Sequence, residues 1–160
     1  MEKLIAHFML RAAKFEFYLI NKDIGFAQTK HIGELEAISG VQWSKVAQHL
    51  QEKFPFESFD FDASSFALFK KTAPQLLVKG SGQRPQWDSD NEPQNSWERL
   101  LGRGYAQLRN NIAHGNKAQI PVPFTHGRTI EFLQAGNALI DFIAEALFGE
   151  RDWEEPLAFR

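Results

Sequence analysis

The sequence predicts an all-α fold, an up-down bundle of four to five helices with a helical-and-loop insertion in the middle. Two observations support this fold class. Apolar residues recur at three- and four-residue steps in several long segments, the spacing of amphipathic helices. Between the helical segments lies an insertion, residues 54–96, whose second part, residues 79–96, is rich in turn-forming residues. The chain therefore suits one helical domain.

The composition is that of an ordinary globular protein. The chain has 160 residues, a net charge of −2 and no cysteine. Without cysteine there are no disulfides, thiolate metal sites or cysteine nucleophiles, which fits a reducing cytosol. The slightly negative charge argues against a general DNA coat. We expect a cytoplasmic protein with one domain over residues 1–149 and a charged C-terminal tail over 150–160.

The first helix is predicted over roughly the first twenty residues and ends between Asn21 and Gly25. Charged side chains interrupt this apolar segment too often for a signal peptide or a membrane span, so we expect no membrane contact. A second helical region is predicted from about Gly33 to Lys53, with a possible break at Ser39-Gly40, and Pro55 closes it.

The insertion follows the second region. Residues 54–62 alternate aromatic and polar residues, and of a short strand and an ordered loop we favour the loop because of Pro55 and the acidic content. Ser64 or Ser65 is expected to cap a short helix through Thr72. Residues 79–96 carry turn formers and few apolar side chains, which predicts a surface loop.

Two further helices complete the predicted bundle. One begins near Ser96 and continues to His114, where Gly115 is a suitable C-terminal cap. The other begins at Thr125 or Thr129 and reaches Phe148. Its apolar surface is wide, which predicts contact with both the core and a partner.

The helix that ends near His114 has one polar face. On an ideal helix Arg103, Gln107, Asn110 and His114 form a continuous polar seam, with Asn110 and His114 one turn apart. Arg109 lies about 140° from His114 on the same helix. The two side chains meet only if the long Arg109 reaches round the helix, the last turn unwinds, or a second subunit contributes, and the mismatch favours a dimeric site.

The end of this helix, LRNNIAHG (residues 108–115), carries the motif that bears on function. The string has an Arg, a polar residue directly after it, and a His separated from the Arg by four residues, near the end of a bundle helix. This pattern resembles the hallmark of the HEPN superfamily (higher eukaryotes and prokaryotes nucleotide-binding domain). The matching residues are Arg109, Asn110 and His114. In detail the resemblance covers roughly residues 97–148, and residues 54–96 match nothing in that family.

This resemblance implies a metal-independent endoribonuclease that acts as a toxin or host-defence effector, with RNA, a second copy of the chain and an antitoxin or other partner protein as partners. RNA supplies its own nucleophile, the 2′-hydroxyl. His114 would transfer protons, and Arg109 would hold phosphate oxygens and stabilise the transition state. Asn110 would orient the His114 ring or bind phosphate.

Four further residues are candidate RNA contacts near the motif. Arg103, Lys117 and Arg128 would contact phosphates, and Tyr105 would stack on a base. Surface charge and a core aromatic explain these residues equally well.

Other functional classes find less support. The histidines outside the motif lack the spacing of metal ligands, and no phosphate-binding loop or nucleophile elbow occurs, so neither a metal nor a cofactor is expected. Residues 38–50 resemble a helix-turn-helix only faintly. The main alternative to a ribonuclease is a non-catalytic HEPN-like module for binding or dimerisation.

Overall fold

The computed structural model describes residues 2–88, 92–115 and 126–155. In this part of the chain the architecture is mixed α/β, because five helices are accompanied by two separate antiparallel sheets of two strands each. The prediction of an all-α fold is therefore wrong. The two segments responsible are 27–41 and 76–88, each of which forms a β-hairpin.

The two longest helices, α1 (Glu2–Lys22) and α5 (His126–Phe148), pack against each other in the core, and the predictions of both are confirmed. They approach closely at Gly136, where a Cβ atom would lie 2.6 Å from Cε2 of Phe8. Gly149 ends α5 with a φ of +68°, a conformation that glycine adopts without steric cost. The apolar surface of α5 is largely used by this core.

The first hairpin follows α1 and a 3-10 turn at Ile24–Phe26. Its strands are β1 (Ala27–Ile32) and β2 (Leu35–Val41). Gly33, with a φ of +60°, stands first in the two-residue turn, where tight hairpins require a positive φ. Helix α2 begins only at Trp43 (Trp43–Lys53), so the predicted helix from Gly33 is wrong over its first ten residues.

A β-bulge distorts the first hairpin near its base. Gln28 pairs with Gly40 and Thr29 pairs with Ile38, which leaves Ser39 as an extra residue on β2. Ser39 donates a hydrogen bond from its hydroxyl to the carbonyl of Gln28 at 3.1 Å. Bulges of this kind bend a strand and redirect its side chains.

Residues 54–62 contain no strand, as predicted, and form a loop with a 3-10 turn at Phe56–Ser58. The predicted helix after Ser64 and Ser65 is present only as α3 (Leu68–Lys71), and neither serine is its N-cap. The loop is ordered by ring contacts among aromatic side chains, namely Phe54, Phe56, Phe59, Phe61, Phe66, Trp97 and Phe142.

The second hairpin lies where the sequence predicts a loop. Its strands are β3 (Leu76–Lys79) and β4 (Pro85–Asp88). Pro85 stands at the first position of β4, where a missing N–H donor is tolerated. The prediction of a loop over residues 79–96 is wrong for these strands.

Helix α4 carries the motif. It consists of Trp97–Arg99, a π-helical segment Leu100–Ala106, and the α-helical segment Gln107–Gly115. The predicted start is confirmed, because the Ser96 hydroxyl is the N-cap and accepts a hydrogen bond from the backbone N–H of Arg99 at 3.2 Å.

Residues 150–155 follow α5 and contact both α1 and α5. Trp153 is buried between Phe15 and Tyr18 of α1, and its indole N–H donates to Asp141 on α5 at 2.9 Å. Glu154 forms an ion pair with Arg11 at 2.9 Å. Trp153 therefore joins the core, while its neighbours Asp152 and Glu154 stay exposed.

Candidate functional site

The π-helical segment of α4 changes how the polar residues of the helix are arranged. A π-helix has more residues per turn than the 3.6 assumed for the predicted seam. Gln107 donates its side-chain amide to Asn111 at 2.6 Å, and Arg103 donates to the Pro74 carbonyl at 3.5 Å. Arg103 thus contacts the loop before β3, and Gln107 contacts Asn111, whose own amide donates to Gln75 of that loop.

Arg109 is held by a carboxylate on α1. Its Nε lies 3.1 Å from Oε1 of Glu16, and one of its terminal nitrogens donates to Oε2 at 3.1 Å. Such a two-point contact fixes the plane of the guanidinium. The Glu16 side chain is only 16% exposed and that of Arg109 is 39% exposed, so the pair stands at the border between core and solvent.

Burial raises the pKa of Glu16, and the positive charge of Arg109 partly offsets this effect. Sequence reasoning did not identify Glu16 as the partner of Arg109. One signal was available: Glu16 lies on α1 between two buried residues, Ala12 and Leu19, four and three positions away. A carboxylate at the edge of an apolar face needs a cationic or hydrogen-bonding partner.

The two asparagines after Arg109 have different surroundings. Asn110 is exposed, and its side-chain oxygen accepts a hydrogen bond from the second terminal nitrogen of Arg109 at 3.2 Å. Asn111 is buried, and its amide donates to the Gln75 carbonyl at 2.6 Å. Asn110 therefore belongs to the surface around Arg109, whereas Asn111 joins α4 to the segment before β3.

Arg109 and Asn110 line a small cleft, here called the hairpin cleft. It has a volume of about 230 Å³ and lies between α1, the first hairpin, the start of α2 and α4. Its lining residues are Glu16, Gln28, Ser39, Gly40, Val41, Trp43, Ala106, Arg109 and Asn110. Gln28, Ser39 and Trp43 were not predicted as site residues, because they come together only when residues 27–41 form a hairpin.

His114 follows Asn110 by four residues within the α-helical segment Gln107–Gly115, so the two positions lie one turn apart on the same side of α4. The His114 side chain lies outside what the structure describes, and so does the whole of Lys117.

The remaining predicted contacts lie away from the hairpin cleft or in the core. Arg128 on α5 donates a hydrogen bond to the Thr72 hydroxyl at 3.1 Å, so it approaches the same loop as Arg103. Tyr105 is 1% exposed and packs edge-on against Trp43 at 5.1 Å, which leaves no face for a base. Burial, followed by the nearby charge of Glu16, raises the pKa of its hydroxyl.

Tyr105 is unusual in one respect. Its hydroxyl is buried and forms no hydrogen bond with any described residue. Unpaired buried hydroxyls are costly and rare in native proteins. The ring that carries it contacts Trp43, a lining residue of the hairpin cleft.

No helix within the described ranges combines the length and apolar character needed to cross a membrane. Nor do the described histidine and acidic side chains include a group of three or more placed to share a metal ion. No protein-family model matches the chain, and no curated protein or solved structure shows significant similarity to it.

Proposed function

We propose that this protein is a metal-independent endoribonuclease of the HEPN type that cleaves single-stranded RNA. The observation that carries the proposal is the pairing of Arg109 with Asn110 at the edge of a polar cleft, with His114 one turn further along the same helix. The Glu16 pair supports it, because a fixed guanidinium is a preorganised anion site.

In this proposal the RNA 2′-hydroxyl attacks the adjacent phosphorus and the bond from phosphorus to the 5′-oxygen breaks. The products are a 2′,3′-cyclic phosphate and a 5′-hydroxyl. His114 serves as the base that takes the 2′-hydroxyl proton or as the acid that supplies a proton to the leaving oxygen. Arg109 stabilises the charge on the phosphate oxygens, and Asn110 orients one of them.

Purified protein should cleave single-stranded RNA in EDTA and leave the cyclic phosphate. His114→Ala and Arg109→Lys should each lower the cleavage rate about 10²-fold or more. The first variant loses the group that transfers protons, and in the second lysine keeps the charge but loses the two-point geometry. Arg109→Lys is preferred to alanine because alanine would leave the Glu16 carboxylate unpaired in a mostly buried position.

Two matched substitutions serve as controls. Arg99→Ala removes an exposed arginine from the same helix, and His49→Ala removes an exposed histidine from α2. Both should cleave RNA at the rate of the wild type. If the wild type releases no cyclic phosphate from any RNA, or if the His114 variant cuts equally fast, the enzyme proposal is wrong.

One observation favours the alternative, a non-catalytic HEPN-like module for binding or dimerisation, which in an RNA-binding form would hold RNA without cutting it. Glu16 already occupies two of the nitrogens of Arg109, which reduces the charge available to a transition state. In that case wild type and His114→Ala should bind RNA with the same affinity, and neither should cleave it.

We further propose that the chain forms a homodimer through the outer face of α1. Ala6, Leu10, Ala13 and Phe17 recur there at four- and three-residue steps, and the large members Leu10 and Phe17 are 57% and 53% exposed. This spacing is that of a helix–helix seam, and large side chains alternating with small ones complement an antiparallel copy of themselves. A second copy is therefore the occupant that this face fits.

Light scattering at micromolar concentration should give the mass of a dimer for the wild type. Leu10→Glu should give a monomer, since a charge in an apolar seam is strongly unfavourable. Glu131→Lys, which alters an exposed residue of α5, should remain dimeric. A monomeric mass for the wild type would exclude this interface.

A further inference from the structure

The hairpin cleft has the size and the chemistry of a site for one small polar aromatic group. Its volume of about 230 Å³ is below the range of about 300–1,000 Å³ typical of sites for drug-sized ligands. Its lining combines amide, hydroxyl and charged groups with the ring of Trp43. A nucleobase is such a group, since every base has a flat face and an edge of hydrogen-bond donors and acceptors.

We propose that the hairpin cleft receives one unpaired base of the RNA strand, next to the phosphate bound by Arg109, and that Gln28 discriminates between bases. This inference rests on the proposed function for its substrate class. It assigns base recognition to the hairpin and phosphate contact to α4.

The amide of Gln28 is suited to read a base edge. Its side chain is exposed and forms no hydrogen bond with the described residues, so its donor and acceptor are both available. The amide nitrogen of Asn110 is also without a partner in the described structure, since only its oxygen is engaged by Arg109, and it remains available to donate to a phosphate oxygen. Paired donors and acceptors of amide side chains match the edges of bases.

The bulge explains why this part of the hairpin lines a cleft. Three consecutive residues, Ser39, Gly40 and Val41, contribute to the lining. In a regular strand successive side chains would point to opposite faces. The extra residue at Ser39 bends β2 here, and bulges often redirect side chains beside functional sites.

The other walls supply the remaining contacts. Trp43 is partly exposed, and its ring is held by the edge-on contact with Tyr105, so it can stack on a base without reordering. Of the five N–H groups of an arginine, three in Arg109 face Glu16 and Asn110. One N–H remains on each terminal nitrogen to hold a phosphate.

The test uses 2′-fluoro trinucleotides of A, C, G and U, which lack the attacking hydroxyl and so report binding alone. Fluorescence anisotropy should show at least about a fivefold difference in Kd between the best and the worst base for the wild type. Gln28→Ala should reduce that difference to less than about twofold. Gln134→Ala, which removes an exposed glutamine from α5, should leave it unchanged.

Wild-type binding of all four trinucleotides within twofold, absence of binding, or full discrimination in the Gln28→Ala variant would overturn the inference. Its failure is distinguishable from that of the proposed function. If RNA with a 2′-hydroxyl is not cleaved but the base discrimination depends on Gln28, the recognition site stands and the enzyme proposal does not.

Discussion

At the scale of single residues, Glu16 is the more buried of the two charged side chains that line the hairpin cleft. Burial raises its pKa in spite of the facing Arg109. A carboxyl group with a raised pKa in the folded state binds more protons there than in the unfolded chain. Its contribution to stability is present near pH 4.5, the ordinary value, and is lost as the pH rises through the folded value.

In the variant Glu16→Gln the side chain at position 16 has no carboxyl group to titrate. The difference in the free energy of unfolding between wild type and variant should therefore shift in favour of the wild type as the pH falls from 7 toward 4.5. Urea denaturation at three pH values measures this difference. Glu57→Gln is an opposite control, because hydrogen bonds from its own backbone amide and from Gln51 lower the pKa of Glu57. A pH-independent difference for Glu16→Gln would contradict the assignment.

The candidate site residues could be proposed from the sequence only where a local motif groups them. Arg109, Asn110 and His114 stand within one string of the chain, and the structure places Arg109 and Asn110 at a common cleft. Glu16 is 93 residues away from Arg109, so their pairing depends on how α1 packs on α4. Lone charges at helix borders do not specify which distant residue neutralises them.

At the scale of elements, the π-helical segment of α4 departs from the geometry of an ideal α-helix. Two glycines in this segment have different surroundings. A Cβ atom at Gly104 would lie 2.9 Å from Cδ1 of Phe69, whereas a Cβ at Gly102 would meet nothing within 4 Å. Gly104 thus allows α3 to pack against α4.

Gly104→Ala should lower the free energy of unfolding by about 1–3 kcal/mol, because the buried Phe69 ring must move. Gly102→Ala should raise it by about 0.4–1 kcal/mol, since alanine loses less entropy in a helix. Thermal or urea unfolding of the two variants measures both changes. Equal effects at the two positions would contradict the packing of α3 on this segment.

The helices were more predictable than the hairpins for a physical reason. The apolar faces of α1 and α5 repeat over five or more turns, and Ser96 signals the start of α4 through its own capping chemistry. The first hairpin has mostly exposed strands, so no buried alternation marks it. Its clearest signal is the Gly33-Glu34 turn between β-branched residues such as Ile32 and Ile38.

At the scale of the whole molecule, the segment after α5 completes the core. Trp153 closes the space between α1 and α5, and Glu154 neutralises Arg11, whose side chain is only 9% exposed. Asp141 contacts both Arg11 and the Trp153 indole. These contacts thus join three parts of the chain, α1, α5 and residues 150–155.

Trp153→Ala should destabilise the protein by about 3–5 kcal/mol, the cost of deleting a buried indole. Trp153→Phe should recover part of this loss, although it still leaves Asp141 without the indole donor. Asp152→Ala, which changes an exposed neighbour, should have little effect. Urea denaturation compares the three variants, and an unchanged midpoint for Trp153→Ala would show that residues 150–155 do not support the core.

The exposure of the first hairpin has a consequence for how such a protein can diversify. Most side chains of β1 and β2 face solvent, so substitutions there change few core contacts. Arg109, in contrast, is held by α1 and α4, whose neighbouring residues are buried. Natural variation or directed evolution confined to the hairpin could therefore alter which ligand is accepted while the Arg109–Glu16 pair and the fold remain as they are.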